Sequence, residues 1–249
     1  MDNKIESNVI LGEFILGNND PQHPQSLDES LDSQAKILPN VEELRKSAEY
    51  YLTPVYVLTN GNSIDMSKYL EVVHTEIDIE KYDLSIYFIR WELALNFLIA
   101  HPEIEKIALV DVTDVKMLNY PYDLIEGGKL YFGDEFKDIS TGIVANDQKP
   151  DYIADFFGEN PRLQLLNPGV IVGTRSIIIE FLTIFVEAFT NAQVKSIENV
   201  PESSFGQYEM ALVNYVAYRY FDDRLVWGRK VSTLFAYNEE TSSAWFKHK

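Results

Sequence analysis

The sequence predicts an α/β fold built on a mostly parallel central sheet flanked by helices. Short apolar runs alternate with longer helical patterns along the chain, the order that strand–helix–strand units produce. One run, Lys106–Val110 (KIALV), has consecutive apolar positions, as a strand buried on both faces requires. Of the 249 residues 46% are hydrophobic, with 15 Tyr, 14 Phe and 3 Trp, enough to fill a core and too aromatic for a solvated chain. No repeat, low-complexity tract or linker divides the sequence, so residues 1–249 are expected to form a single domain.

Residues 8–16 (NVILGEFIL) read as a short buried strand. Residues 17–33 are polar and broken by Pro21 and Pro24, which is loop chemistry. Residues 40–51 read as a helix that Asn40 can cap, with Glu43 as the third-position acid of a capping box and Pro54 as its stop. A strand at 55–58, a turn at Asn60-Gly61-Asn62 and a strand at 70–74 follow. Asp83 or Ser85 can cap a long helix to about residue 100, where Pro102 ends the pattern. Next come the strand at 106–110 and another at 129–132. Residues 134–166 form a long, polar, weakly patterned stretch, the signature of a lid or acceptor loop. The chain then reads as a strand at 170–172, helices at 175–192 and 206–221, and a last strand within 224–235.

Composition excludes several functions. Asp plus Glu number 39 against 21 Lys plus Arg, a net charge of −18 that argues against a phosphate-backbone surface and hence against nucleic acid as a partner. There is no cysteine, which removes disulfide scaffolds, zinc ribbons, iron–sulfur sites and thiol nucleophiles. The sequence has no Gly-rich phosphate loop, dinucleotide fingerprint, nucleophile elbow or paired-His zinc motif. His74 and His101 read as structural. The opening MDNKIESNVILGEF lacks the basic-then-apolar order of a secretory signal, so the cytoplasm is the expected compartment. The longest apolar run, residues 176–189, carries Glu180 and Glu187 and is shorter than the roughly 20 residues of a membrane span. It reads as a buried helix, with peripheral membrane contact left open.

The most informative stretch is KIALVDVTDVKML, in which a buried strand runs straight into Asp111 and Asp114. Ligands of open α/β sheets sit at the carboxyl ends of the strands. A carboxylate there is costly without compensation, and two of them can converge on a hard cation such as Mg²⁺ or Mn²⁺. The alternative is that Asp111 caps a turn and Asp114 is solvated.

This stretch resembles the Asp-containing metal motif of GT-A glycosyltransferases, which hold Mn²⁺ and a nucleotide-sugar diphosphate. The usual form is D-x-D. The D-x-x-D form present here is similar to that of the glycosyltransferase domains of procollagen lysyl hydroxylases. SIYFIRWELALNFL resembles the helix upstream of the metal motif in family 8 transferases, which implies that Arg90 faces the donor diphosphate or sugar. LLNPGVIVGTRS resembles the Asn-x-Gly strand that lines the donor sugar, implying that role for Asn167 and Gly169. ESSFGQYEMALVNYVAYRYF resembles the acceptor-side helix, with Gln207 and Glu209 as the catalytic candidates; a Glu there also suits a helix dipole. His248, in the closing AWFKHK, matches the late His that completes many such metal sites, or is a surface group at the end of the sequence. The loop at 17–22, with Asp20, occupies the position that holds the nucleotide base, and the segment at 131–135 could reach donor or acceptor.

The resemblance implies a GT-A-like, metal-dependent transferase that uses Mn²⁺ or Mg²⁺. It would move a sugar from a nucleotide-diphosphate donor, a uridine-linked one, to a glycan or lipid-linked glycan acceptor. Two other readings fit the same fold: a nucleotidyltransferase or sugar-nucleotide hydrolase, and a non-catalytic glycan-binding or assembly protein.

Overall fold

The computed structural model describes residues 5–16, 33–67, 69–77, 85–198, 204–234 and 241–248. The central strand is β1 (Asn8–Glu13). It pairs in parallel with β2 (Val55–Thr59) on one side and with β5 (Lys106–Val110) on the other. β3 (Ile64–Ser67) and β4 (Leu70–His74) extend the β2 edge, β4 in parallel and β3 antiparallel. On the β5 edge lie β8 (Gln164–Thr174) and β7 (Leu130–Asp138), both antiparallel to their inner neighbours, and then β9 (Leu225–Trp227), parallel to β7. The sheet order is β3-β4-β2-β1-β5-β8-β7-β9. A smaller sheet joins β6 (Lys116–Met117), β10 (Ser232–Leu234) and β11 (Phe246–His248) in the order β10-β11-β6.

The period of two in a strand sends alternate side chains to opposite faces. Val9 and Leu11 of β1 and Ile107 and Leu109 of β5 enter one core; Ile10, Ala108 and Val110 enter the other. Both faces are therefore covered, as the unbroken KIALV run requires. The first core lies under α2 (Ile86–Ala100), α5 (Arg175–Ile197) and α6 (Met210–Phe221). The second lies under α1 (Ser33–Tyr50), with Trp245 and Phe246 closing its far end. α5 is long and apolar enough to cross a membrane by length and composition. Its buried positions, from Ile177 through Phe181 and Phe185 to Phe189, instead fill the first core on one helical face.

Several element boundaries differ from the sequence expectation. α1 starts at Ser33, so Asn40 lies inside the helix and is not its cap. Pro39 sits within it and removes a backbone bond, at a typical cost of about 3 kcal/mol. The helix continues because Ile37, Val41, Leu44 and Ala48 form one fully buried stripe across the proline. Residues 134–166 are not one long loop. They hold the outer half of β7, the single turn α3 (Gly142–Ala145), α4 (Asp151–Glu159) and the start of β8. Their pattern was weak because Phe136 and Lys137 are exposed and α4 buries only Ile153 and Phe157. Among the described residues, 224–235 holds two short strands, β9 and β10, where one was expected, and β11 lies beyond it. Ser85 stands at the N-cap of α2, but its hydroxyl donates to the carbonyl of Gln207 at 2.6 Å and does not cap the helix. The other candidate cap, Asp83, lies outside the described residues.

Candidate functional site

Asp111 follows directly on β5, and its backbone N–H donates to the carbonyl of Gly169 at 3.1 Å. β8 reaches it through an irregularity. On the β7 side the register jumps from Phe132↔Ile171 to Gly133↔Asn167, so residues 168–170 bulge from that ladder. Pro168 could not have donated there in any case. Asn167 fixes the bulge: its Oδ1 accepts from the N–H of Gly169 at 2.9 Å, and its Nδ2 donates to Glu135 at 2.9 Å. Bulges re-aim backbone beside functional sites, and this one brings Gly169 against the Asp111 and His248 side chains. A Cβ built on Gly169 would lie 2.8 Å from Asp111 Oδ2 and 2.2 Å from His248 Cε1.

His248 is the third member. Its side chain is 3% exposed, and its Nε2 lies 3.5 Å from a carboxylate oxygen of each of Asp111 and Asp114. Among the described residues no hydrogen bond satisfies that buried nitrogen. The segment carrying it is firmly held. Trp245 packs on Tyr131 at 5.1 Å, Asn119 Nδ2 donates to the carbonyls of Ser242 and Ala244, and β11 is paired on both sides. His248 is thus an interior residue and not a surface one.

Ligand atoms of Asp111, Asp114 and His248 all lie within 4.8 Å of one another. Two hard oxygens and an imidazole suit Mg²⁺ or Mn²⁺. The unsatisfied Nε2 and the absent Cβ at Gly169 leave space and a ligand atom for such an ion, so these residues fit it.

Arg90 lies one turn into α2. Its two terminal nitrogens donate to Asp111 at 2.5 Å and to Glu209 at 2.9 Å, and its guanidinium stacks 4.2 Å over Trp91. Glu209 stands at the N-cap of α6, 4% exposed, and makes no capping bond there; its carboxylate faces inward to Arg90. Burial would raise the Asp111 carboxyl, but Arg90 and His248 outweigh it and hold the pKa far below the usual carboxylate range. Burial dominates at Glu209 and pushes it up to about 7 against the pull of Arg90. At His248 burial opposes the charge, yet the neighbouring Asp111 and Asp114 carboxylates raise the imidazole to about 9.

One residue at the site escaped the sequence reading. Glu13 ends β1 beside β5, and burial pushes its carboxyl up to about 8, with Arg90 and Asp111 as its charged neighbours. Its Oε1 is buried and has no hydrogen bond among the described residues. The rule that singled out Asp111, an acid where a buried strand ends, applies equally to Glu13. Gln207 is exposed, and its backbone N–H donates to Asp147 at 3.2 Å. Asp20 and the 17–22 loop lie outside the described residues.

This is a GT-A-type fold, with acids at the carboxyl end of the strand beside its central one. A solved structure that shares this fold is the crystal structure of a glycosyltransferase involved in the glycosylation of the major capsid of PBCV-1. It is similar over 97% of this chain and 91% of that one, with a TM-score of 0.50 and 13% sequence identity. No protein-family profile matches the sequence, and no curated protein does.

Proposed function

We propose that this chain is a metal-dependent glycosyltransferase that moves a sugar from a uridine-diphosphate donor to a glycan or lipid-linked glycan. The observation that carries the reading is the convergence of Asp111, Asp114 and His248 beside the buried Arg90, within a glycosyltransferase fold. Similarity to the family 8 and lysyl hydroxylase domains, a single domain over 1–249 and a cytoplasmic place with peripheral membrane contact belong to the same proposal.

When bound, Mn²⁺ or Mg²⁺ supplies Lewis-acid stabilisation of the charge that builds on a departing diphosphate. Asp111 and Asp114 offer the oxygens for it and His248 the imidazole. Arg90 holds Asp111 in position and adds positive charge at the same end of the sheet. Asn167 fixes the bulge so that Gly169 keeps its backbone close to where the sugar would lie. Glu209 is the candidate proton acceptor for an acceptor hydroxyl: its pKa near 7 suits a general base. Gln207 is the second candidate at that position, and Asp20 the candidate for the nucleotide base.

The test is calorimetric titration of UDP with and without Mn²⁺, followed by a screen of nucleotide sugars for metal-dependent turnover. Metal-dependent UDP binding that Asp111→Ala and Asp114→Ala abolish is expected. Absence of such binding, or variants that behave like the parent, overturns the reading.

A further inference from the structure

A groove of about 650 Å³ lies between α4, α5 and α6, within the roughly 300–1,000 Å³ of small-ligand sites. Its aromatic lining is tyrosine. Tyr152 and Tyr215 meet edge to face at 5.2 Å, and Tyr215 and Tyr220 at 6.2 Å, so the three rings stand as walls of different orientation. Phe156 backs Tyr215 at 5.3 Å and fixes it. Tyr152 and Tyr220 keep 44% and 48% of their surface exposed. Along the α5 side the groove meets Glu187, Asn191 and Lys195, spaced four apart on one helical stripe.

Fixed aromatic planes beside a carboxylate, an amide and an ammonium group match the chemistry of a carbohydrate. The C–H faces of a pyranose pack on the rings, and its hydroxyls bond to the polar groups and the phenols. Asp151 and Glu187 outnumber Lys195 in the lining, and the whole chain carries −18, so an anionic ligand is disfavoured and a neutral sugar suits it. The segment that leads into the groove at Pro150 is tied by hydrogen bonds to residues 206–208, which precede Glu209. Pro150 lines the groove, and in the segment leading to Pro150 the Gln148 carbonyl accepts from Gly206 at 2.7 Å. In that segment Asp147 accepts from the N–H groups of Gln207 and Tyr208 at 3.2 and 3.1 Å.

We propose that this groove is a second carbohydrate-binding site, which holds a neutral stretch of the acceptor glycan away from the bond being made. That the glycan is an acceptor rests on the transferase reading; that the groove binds a neutral oligosaccharide does not.

The experiment is saturation-transfer NMR on the full chain, without metal or nucleotide, using cello-, malto-, manno- and galacto-oligosaccharides. Tyr152→Ala and Tyr220→Ala are measured alongside. We expect transfer to at least one oligosaccharide and affinity about tenfold weaker in each variant, with unchanged thermal unfolding because both rings are half exposed. In turnover, the same variants should raise KM for a long acceptor and leave kcat and short acceptors unchanged. No transfer to any of these sugars, or undiminished binding in both variants, overturns the site. Oligosaccharide binding by a chain that ignores UDP and Mn²⁺ supports the groove and removes the transferase reading; metal-dependent UDP binding without oligosaccharide binding does the reverse.

Discussion

Gly169 and His248 are packed so closely that position 169 has no room for a side chain. A Cβ on Gly169 would lie 2.2 Å from Cε1 and 2.5 Å from Nε2 of the imidazole. The ring cannot retreat, because it is 3% exposed within a paired strand. Gly169→Ala is expected to lower Mn²⁺ affinity by at least about tenfold and to destabilise the fold by roughly 1–3 kcal/mol, the usual range for overpacking. Calorimetry with Mn²⁺ and urea unfolding check both numbers. Unaltered Mn²⁺ binding would mean that His248 is not a ligand.

Arg90 is a cation shared by Glu13, Asp111 and Glu209. Its removal takes that shared compensation from the buried acids. Arg90→Met is expected to lose about 3–5 kcal/mol in urea unfolding. Adding Glu209→Gln should restore part of that loss, since the second change removes one of the stranded charges. Strict additivity of the two changes would show that the pair is not coupled.

Protons and metal compete at His248. Its folded pKa, about 9, is raised from 6.5, so the stabilisation it gives is complete below 6.5 and fades as pH rises through 9. A metal ligand must be neutral, so Mn²⁺ must displace that proton. Mn²⁺ affinity is expected to climb with pH up to about 9 and then level, and binding at pH 7 should release close to one proton. Titrations at pH 7 in buffers of different ionisation enthalpy measure the release; a value near zero contradicts the assignment.

Asn214 bolts α6 to β8. Fully buried, it accepts from the N–H of Leu166 at 2.8 Å and donates to the carbonyls of Leu166 and Met210 at 3.0 and 2.9 Å. Asn214→Ala orphans those groups, each worth about 1–3 kcal/mol, so a loss of about 3 kcal/mol is expected. A loss well under 1 kcal/mol in urea unfolding would show that the groups find other partners.

The alternation of strands and helices, the doubly buried β5 and the placing of Asp111 and Asp114 at its end are legible along the chain. These are local facts: apolar runs fix elements through their period, and an acid that ends a buried strand lies at the ligand end of a sheet. The same rule would have found Glu13. Tertiary structure decided the rest. His248 is 134 residues from Asp114 in sequence (248 − 114), and only the pairing of β11 with β10 and β6 buries it beside the acids. The inward turn of Glu209 and the bulge at residues 168–170 likewise depend on Arg90, Asn167 and Glu135, partners from other elements. Such contacts are set by packing between segments far apart in the chain, and no local pattern encodes them.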